Sequence, residues 1–205
     1  MFSCYIWILF LDKYLNYKCS YTACYFCCLK LGGVTIYKKH LSPITVPIYA
    51  VIQGIFLGAI SYTFNSLYDG IVITAISYTL SILFVMLTLY RTGIIKPTEN
   101  FKLGVAAGTG GIALIYLANF VMSFFGTGLS IMDINNASMY SIGFSLLVIV
   151  MASLNLVVDF DFIEEGSEKR APKYMEWYGA FGLLVTLIWL YLEILRLLAK
   201  MNSRK

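Results

Sequence analysis

Met139-Tyr-Ser-Ile-Gly-Phe-Ser-Leu-Leu-Val-Ile-Val-Met-Ala-Ser-Leu-Asn-Leu-Val-Val158 runs for twenty residues without a charge. As an α-helix rising 1.5 Å per residue, it covers the roughly 30 Å hydrocarbon thickness of a bilayer. Helix is the conformation required, because backbone groups in lipid must be satisfied within the segment. The unbroken apolar run excludes the alternating pattern of a membrane β-barrel. Working outward, four further runs of similar character fall at 44–64, 71–90, 103–125 and 177–199. The fold class expected is therefore all-α, a polytopic integral membrane helical bundle with five spanning helices over residues 41–205.

Composition agrees. Of 205 residues, 60% are hydrophobic and 13% charged, with a mean hydropathy of +0.78. A soluble domain carries roughly 25% charged residues, so too little polar surface is present to solvate a globule of this size. Disordered chains are poor in apolar residues, which excludes disorder as well. The net charge of +4 comes from scattered Lys and Arg that form no stripe, so no nucleic-acid partner is expected. The bilayer itself is the first partner implied.

The connectors mark sidedness. Five Lys precede the first span, three basic residues (Arg91, Lys96, Lys102) lie between the second and third, and three (Lys169, Arg170, Lys173) between the fourth and fifth. Asn65–Gly70 and Gly126–Ser138 have none. By the positive-inside rule the first span starts in the cytoplasm and the Asp159–Glu176 connector is cytoplasmic. The basic tail Arg196–Lys205 breaks the pattern, since five spans place it outside.

Residues 1–40 read as an atypical N-terminal segment, mis-started or truncated. All five cysteines (Cys4, Cys19, Cys24, Cys27, Cys28) sit there, among aromatic residues and charges that break the apolar pieces Met1–Leu11 and Cys19–Leu29. Each piece is shorter than the about 20 residues needed to span. Asp12 and Lys13 interrupt the run where a secretory signal needs continuity. Cys24-x-x-Cys27 has no second spaced pair to complete a four-ligand zinc site. No metal and no cofactor are expected. A nonstandard membrane helix remains the alternative for this stretch, and residues 1–36 are expected to pack poorly.

Ionisable groups within spans are costly in lipid and are functional candidates by default. Asn155 and Asp159 lie one turn apart on one face, and Asp161 and Glu165 share another. Five carboxylates between Asp159 and Glu168 form an acidic mouth that concentrates cations, or a solvated helix end. Glu193 lies inside the fifth run with Arg196 three residues on, either as a local ion pair or as a proton- or cation-binding carboxylate. Gln53 and Asn119 could extend a polar core. Gly54-x-x-x-Gly58 and Gly104-x-x-x-Gly108 suit close helix packing. Enzyme chemistry is not expected. The single histidine, His40, cannot supply a zinc site or a triad base within a span. Glu164-Glu165 followed by Arg170 has neither the spacing nor the downstream histidine of a membrane CAAX-type protease.

Several stretches together carry a family resemblance. They are Ser42-Pro-Ile-Thr-Val-Pro-Ile-Tyr-Ala50, Gln53-Gly-Ile-Phe-Leu-Gly-Ala-Ile-Ser61, Thr109-Gly-Gly-Ile-Ala-Leu-Ile-Tyr116, Leu154-Asn-Leu-Val-Val-Asp-Phe-Asp-Phe-Ile-Glu-Glu-Gly166 and Ala171-Pro-Lys-Tyr-Met-Glu-Trp-Tyr-Gly-Ala180. Over residues 37–198 the chain resembles the bacterial branch of the transmembrane Bax inhibitor motif family. That resemblance implies a seven-helix bundle in the bacterial plasma membrane, of which the five runs are the last five helices. It also implies a proton-sensitive calcium leak gated by two aspartates, one on each of the last two helices. Asp161 resembles the first of these, and the second position falls on Thr186, a departure from the paired pattern. The ion-pathway candidates are Asp161, Asp159, Asn155 and Glu193, with calcium or other cations as partners. The alternative is a non-transporting protein that regulates or stabilises other membrane proteins.

Overall fold

The structure, a computed structural model, describes residues 30–124 and 138–203. Five long helices account for most of them: α1 Ser42–Leu67, α2 Ile71–Arg91, α3 Glu99–Phe124, α4 Met139–Glu168 and α5 Tyr174–Ser203. A helical stretch at 30–37 and a short 3-10 turn at Lys39–Leu41 precede them. No strand occurs among the described residues. All five helices are long and apolar enough to cross a membrane, so the chain is an integral membrane protein.

Each helix extends past the apolar run that predicted it. α4 continues ten residues beyond Val158, so Asp159 and Asp161 lie inside a helix and not in a connector. Hydropathy reports where lipid ends, whereas a helix ends where its last carbonyls are capped. At the end of α4 the cap forms around Arg170, which takes the left-handed conformation (φ 48°) while the Ala171 N–H donates to the Gly166 carbonyl at 2.9 Å. Gly93 does the same work after α2 with φ 71°, at no steric cost.

α5 is the central helix. Residues 188–196 are buried without interruption, and the helix packs against α1, α2 and α4. Such all-round burial suits a helix enclosed by others. The core gathers Ile60 and Phe64 of α1, Ala75 of α2, Val148, Ala152 and Leu156 of α4, and Leu190 and Leu195 of α5.

The ends sort cleanly. Ser42 Oγ lies 2.6 Å from the Tyr174 carbonyl, tying the start of α1 to the start of α5. Lys102 at the start of α3 meets Asp161 near the end of α4, and Tyr90 at the end of α2 meets Glu164. One end of the bundle therefore collects both basic connectors and the acidic mouth. Two of the four basic residues of the tail also find an explanation, while Arg204 and Lys205 lie outside the described residues. α5 runs unbroken to Ser203, and Arg196 and Lys200 are 2% and 0% exposed. They are core residues, not loop charges of the kind that the positive-inside rule counts.

The atypical segment at 1–40 lies mostly outside the described residues. Its described end packs better than expected. Thr35 is buried with its hydroxyl 2.8 Å from that of Thr45, and Leu31 packs on the cluster of Val46, Tyr49, Phe181 and Val185.

Candidate functional site

α4 and α5 meet along a seam with one constant register. Thr186 faces Asp159, and Lys200 faces Ser145. Asp159 and Ser145 are two heptads apart on α4, as Thr186 and Lys200 are on α5. A heptad spacing keeps the same faces in contact along two helices crossing at a shallow angle. On α5 the stripe is Gly182, Thr186, Trp189, Glu193, Arg196 and Lys200, and most of its side chains are polar. The facing stripe of α4 contains Ser141, Ser145, Val148, Ala152 and Asp159, with small residues where the α5 side chains are large.

At the charged end the carboxylates separate by partner. Asp161 turns to α3, where its Oδ2 lies 2.6 Å from Lys102 Nζ. Lys102 also lies 3.5 Å from Glu99. Glu164 accepts from the Tyr90 hydroxyl, and Glu165 pairs with Lys169. Asp159 turns to α5 instead. The Thr186 hydroxyl donates to its carboxylate, and a Cβ built on Gly182 would sit 3.4 Å from Oδ1. The other oxygen, Oδ2, is buried without a hydrogen-bond partner. Asn155, one turn back, faces α3 and donates to Thr109 Oγ1 at 2.7 Å and to the Met151 carbonyl at 2.9 Å.

The opposite half of the seam holds a second polar cluster. Tyr116 of α3 donates to Glu193 Oε1 at 2.5 Å and accepts from Arg196 Nη1 at 2.8 Å. The direct Arg196–Glu193 separation is 3.5 Å. The guanidinium also lies over the Tyr116 ring, 5.4 Å from its centre. One turn on, Lys200 Nζ donates to Ser145 Oγ at 3.0 Å and lies 3.4 Å from the Ser141 carbonyl. Glu193 has no exposed surface. A carboxylate and two cations at this depth persist because charged hydrogen bonds replace the hydration they lose.

The four candidate residues are thus distributed and not gathered. Asp159 from α4 and Glu193 from α5 lie on the two facing stripes of the seam, whereas Asn155 and Asp161 belong to the α3–α4 contact. Gln53 and Asn119 are buried on α1 and α3. Tyr116, Trp189, Lys200, Lys102 and Thr109 are added by the structure. Their spacing was visible: Lys102, Thr109 and Tyr116 recur at seven residues on α3, and the α5 stripe alternates four and three. Neither repeat stands out, because apolar residues fill the positions between. A cavity of about 810 Å³ opens between the end of α4 and the start of α5, lined by Phe162, Ile163, Glu165, Lys169, Arg170 and Met175 among others.

These features define a polytopic helical membrane protein with ionisable groups buried between its last two helices. The chain matches the family described as Bax inhibitor 1 like over residues 1–203, and it belongs to that family. The match includes the cysteine-rich N-terminal stretch. No curated protein and no solved structure matches significantly.

Proposed function

We propose that the protein is a proton-sensitive cation leak, with calcium as the principal candidate ion, in a bacterial plasma membrane. The observation that carries this reading is Asp159, whose Oδ2 is buried and unpartnered on the α4–α5 seam. A carboxylate in such a place attracts a cation or takes up a proton, and either removes the unpaired charge. It stands opposite Thr186, the position that the resemblance matched to the family's second aspartate, so the α4 carboxylate that faces this position is Asp159 and not Asp161, the residue that the resemblance had singled out. Asp161 is neutralised by Lys102 and holds α3 against α4 at the mouth. With one carboxylate on the seam, the pH response is that of a single site and is shallower than that of a coupled pair. Neither catalysis nor a cofactor enters this reading.

The test is calcium flux into proteoliposomes between about pH 6 and 8. Flux above that of empty vesicles, changing with pH and altered by Asp159→Asn, is the expected result. Unchanged flux and an unchanged profile in Asp159→Asn reject the reading. A second reading, regulation of partner membrane proteins, draws on the groove between α4 and α5, whose apolar floor and charged rim suit a bound protein segment. It gains if no flux is found.

A further inference from the structure

The cavity at the charged end of the α4–α5 pair straddles the border of the apolar layer. Ile163 and Gly179 mark the close approach of the two helices, and Gly179 lies two residues inside the apolar run that begins at Trp177. Phe162, Ile163, Ala180 and Leu183 therefore line the cavity at hydrocarbon depth. Glu165, Lys169, Arg170 and Glu176 line it at the polar edge. Phe162, Ile163 and Trp177 are exposed, as apolar and aromatic side chains are where they meet lipid at the edge of a bilayer. The volume of about 810 Å³ lies in the range of small-molecule sites, roughly 300–1,000 Å³.

The four charges are not equivalent. Glu165 and Lys169 pair with each other. Arg170 and Glu176 make no ion pair with a described residue, so one guanidinium and one carboxylate remain on the cavity wall. The N–H groups of Met175 and Glu176 at the start of α5 already donate to the Pro172 and Lys173 carbonyls. Arg170 is thus the group available to a phosphate, and a guanidinium takes two phosphate oxygens at once. It is also the one non-glycine residue at positive φ among the described residues, at 48°. Glycine would adopt that conformation at lower cost, so folding of the turn does not explain an arginine here.

We propose that this cavity binds one phospholipid whose headgroup carries a primary ammonium beside its phosphate, a phosphoethanolamine lipid. Arg170 holds the phosphate, Glu176 accepts from the ammonium, and the upper part of an acyl chain lies on Phe162, Ile163, Ala180 and Leu183. A headgroup of net negative charge would satisfy Arg170 but set its surplus charge against Glu176. A choline headgroup has no N–H to donate and is recognised by aromatic cages instead. A protein segment would have to displace lipid that is already present at this depth. The inference does not depend on cation passage, and its test does not read flux.

The experiment places the full chain in nanodiscs of equimolar phosphatidylethanolamine, phosphatidylglycerol and phosphatidylcholine, and reads the lipid retained on release by native mass spectrometry. The expected result is one retained phosphatidylethanolamine, enriched severalfold over its share of the bilayer. Arg170→Gly and Gly166→Leu are each expected to abolish the enrichment. Both variants suit the fold. The first relieves the positive φ, and the second adds a side chain at a lining position where a Cβ would meet nothing within 4 Å. Their thermal midpoints are expected to equal or exceed that of the wild type, which separates lost binding from lost folding. Glu176→Gln is expected to retain one phospholipid without preferring phosphatidylethanolamine. Unchanged enrichment in both Arg170→Gly and Gly166→Leu overturns the proposal, and so does retention of phosphatidylglycerol in preference to phosphatidylethanolamine. An unchanged preference in Glu176→Gln overturns the ammonium contact and with it the choice of lipid. No retained lipid overturns the proposal as well and leaves the groove to a protein segment.

Discussion

Asp159 and Asp161 are separated by one residue and are given opposite roles by what they face. Lys102 compensates Asp161 within 2.6 Å, whereas Asp159 meets only a hydroxyl at Thr186. Asp159→Asn is therefore expected to flatten the pH profile of cation flux, and Thr186→Asp, by adding a like charge across the seam, to steepen it. Asp161→Asn is expected to loosen the α3–α4 contact and leave the shape of the profile intact; proteoliposome flux over a pH series distinguishes the three. The sequence named both aspartates and, through the family resemblance, put Asp161 first, whereas the contacts set Asp159 opposite α5. A helix turns about 200° over two residues, so which aspartate meets α5 depends on how α4 is rotated. Nothing in a hydropathy pattern fixes that rotation when apolar residues surround the helix. The same residue scale governs stability at the other cluster. Tyr116→Phe removes a hydroxyl that bonds both Glu193 and Arg196, and the expected loss is about 1–3 kcal/mol. Arg196→Met alone strands Glu193 and is expected to cost more, about 3–5 kcal/mol. Combining Tyr116→Phe, Glu193→Leu and Arg196→Met is expected to recover much of that loss, because no buried charge is then left unpaired. Thermal unfolding in detergent measures each.

At the scale of the element, the α4–α5 pair depends on close approach at its charged end. A Cβ on Gly179 would sit 2.9 Å from Ile163 Cγ1, tighter than side chains tolerate. Gly179→Leu is expected to separate the two helices and lower the unfolding temperature. The turn that joins them contains the opposite opportunity. Arg170 holds φ at 48°, a conformation that costs a residue with a Cβ roughly 1 kcal/mol and costs glycine almost nothing. Arg170→Gly is expected to stabilise the protein by up to about that amount, read as a higher midpoint in thermal unfolding. The five runs were legible because uninterrupted apolar stretches of this length have few other uses. Their ends were not. Asp159–Glu168 is polar enough to read as a connector, yet it continues α4, because Glu165 pairs with Lys169 one turn on and the cap forms only at Arg170.

For the whole molecule, the arrangement of charges defines a sidedness that the basic tail had obscured. Arg196 and Lys200 read as a positive tail only when burial is ignored. Once both are placed in the core, the connectors agree with one another. The start of α1, the α2–α3 connector and the α4–α5 connector share one end, where Ser42 meets Tyr174 and Lys102 meets Asp161. By its Lys and Arg content that end is the one expected to face the cytoplasm. α5, at 30 residues, is about 45 Å long and spans with length to spare. Its last turn near Ser203 must therefore emerge on the opposite side. Single cysteines introduced as Ser167→Cys and Ser203→Cys, in a background with the five native cysteines replaced by serine, give a direct readout. In intact cells a membrane-impermeant maleimide is expected to modify the cysteine at position 203 and to leave the one at 167 untouched until the membrane is opened. Labelling of both from the same side would mean that α5 does not cross, and that Glu193 and Lys200 belong to a re-entrant helix. In that case the polar stripe would not run from one face of the bilayer to the other, and a leak along it would have no exit.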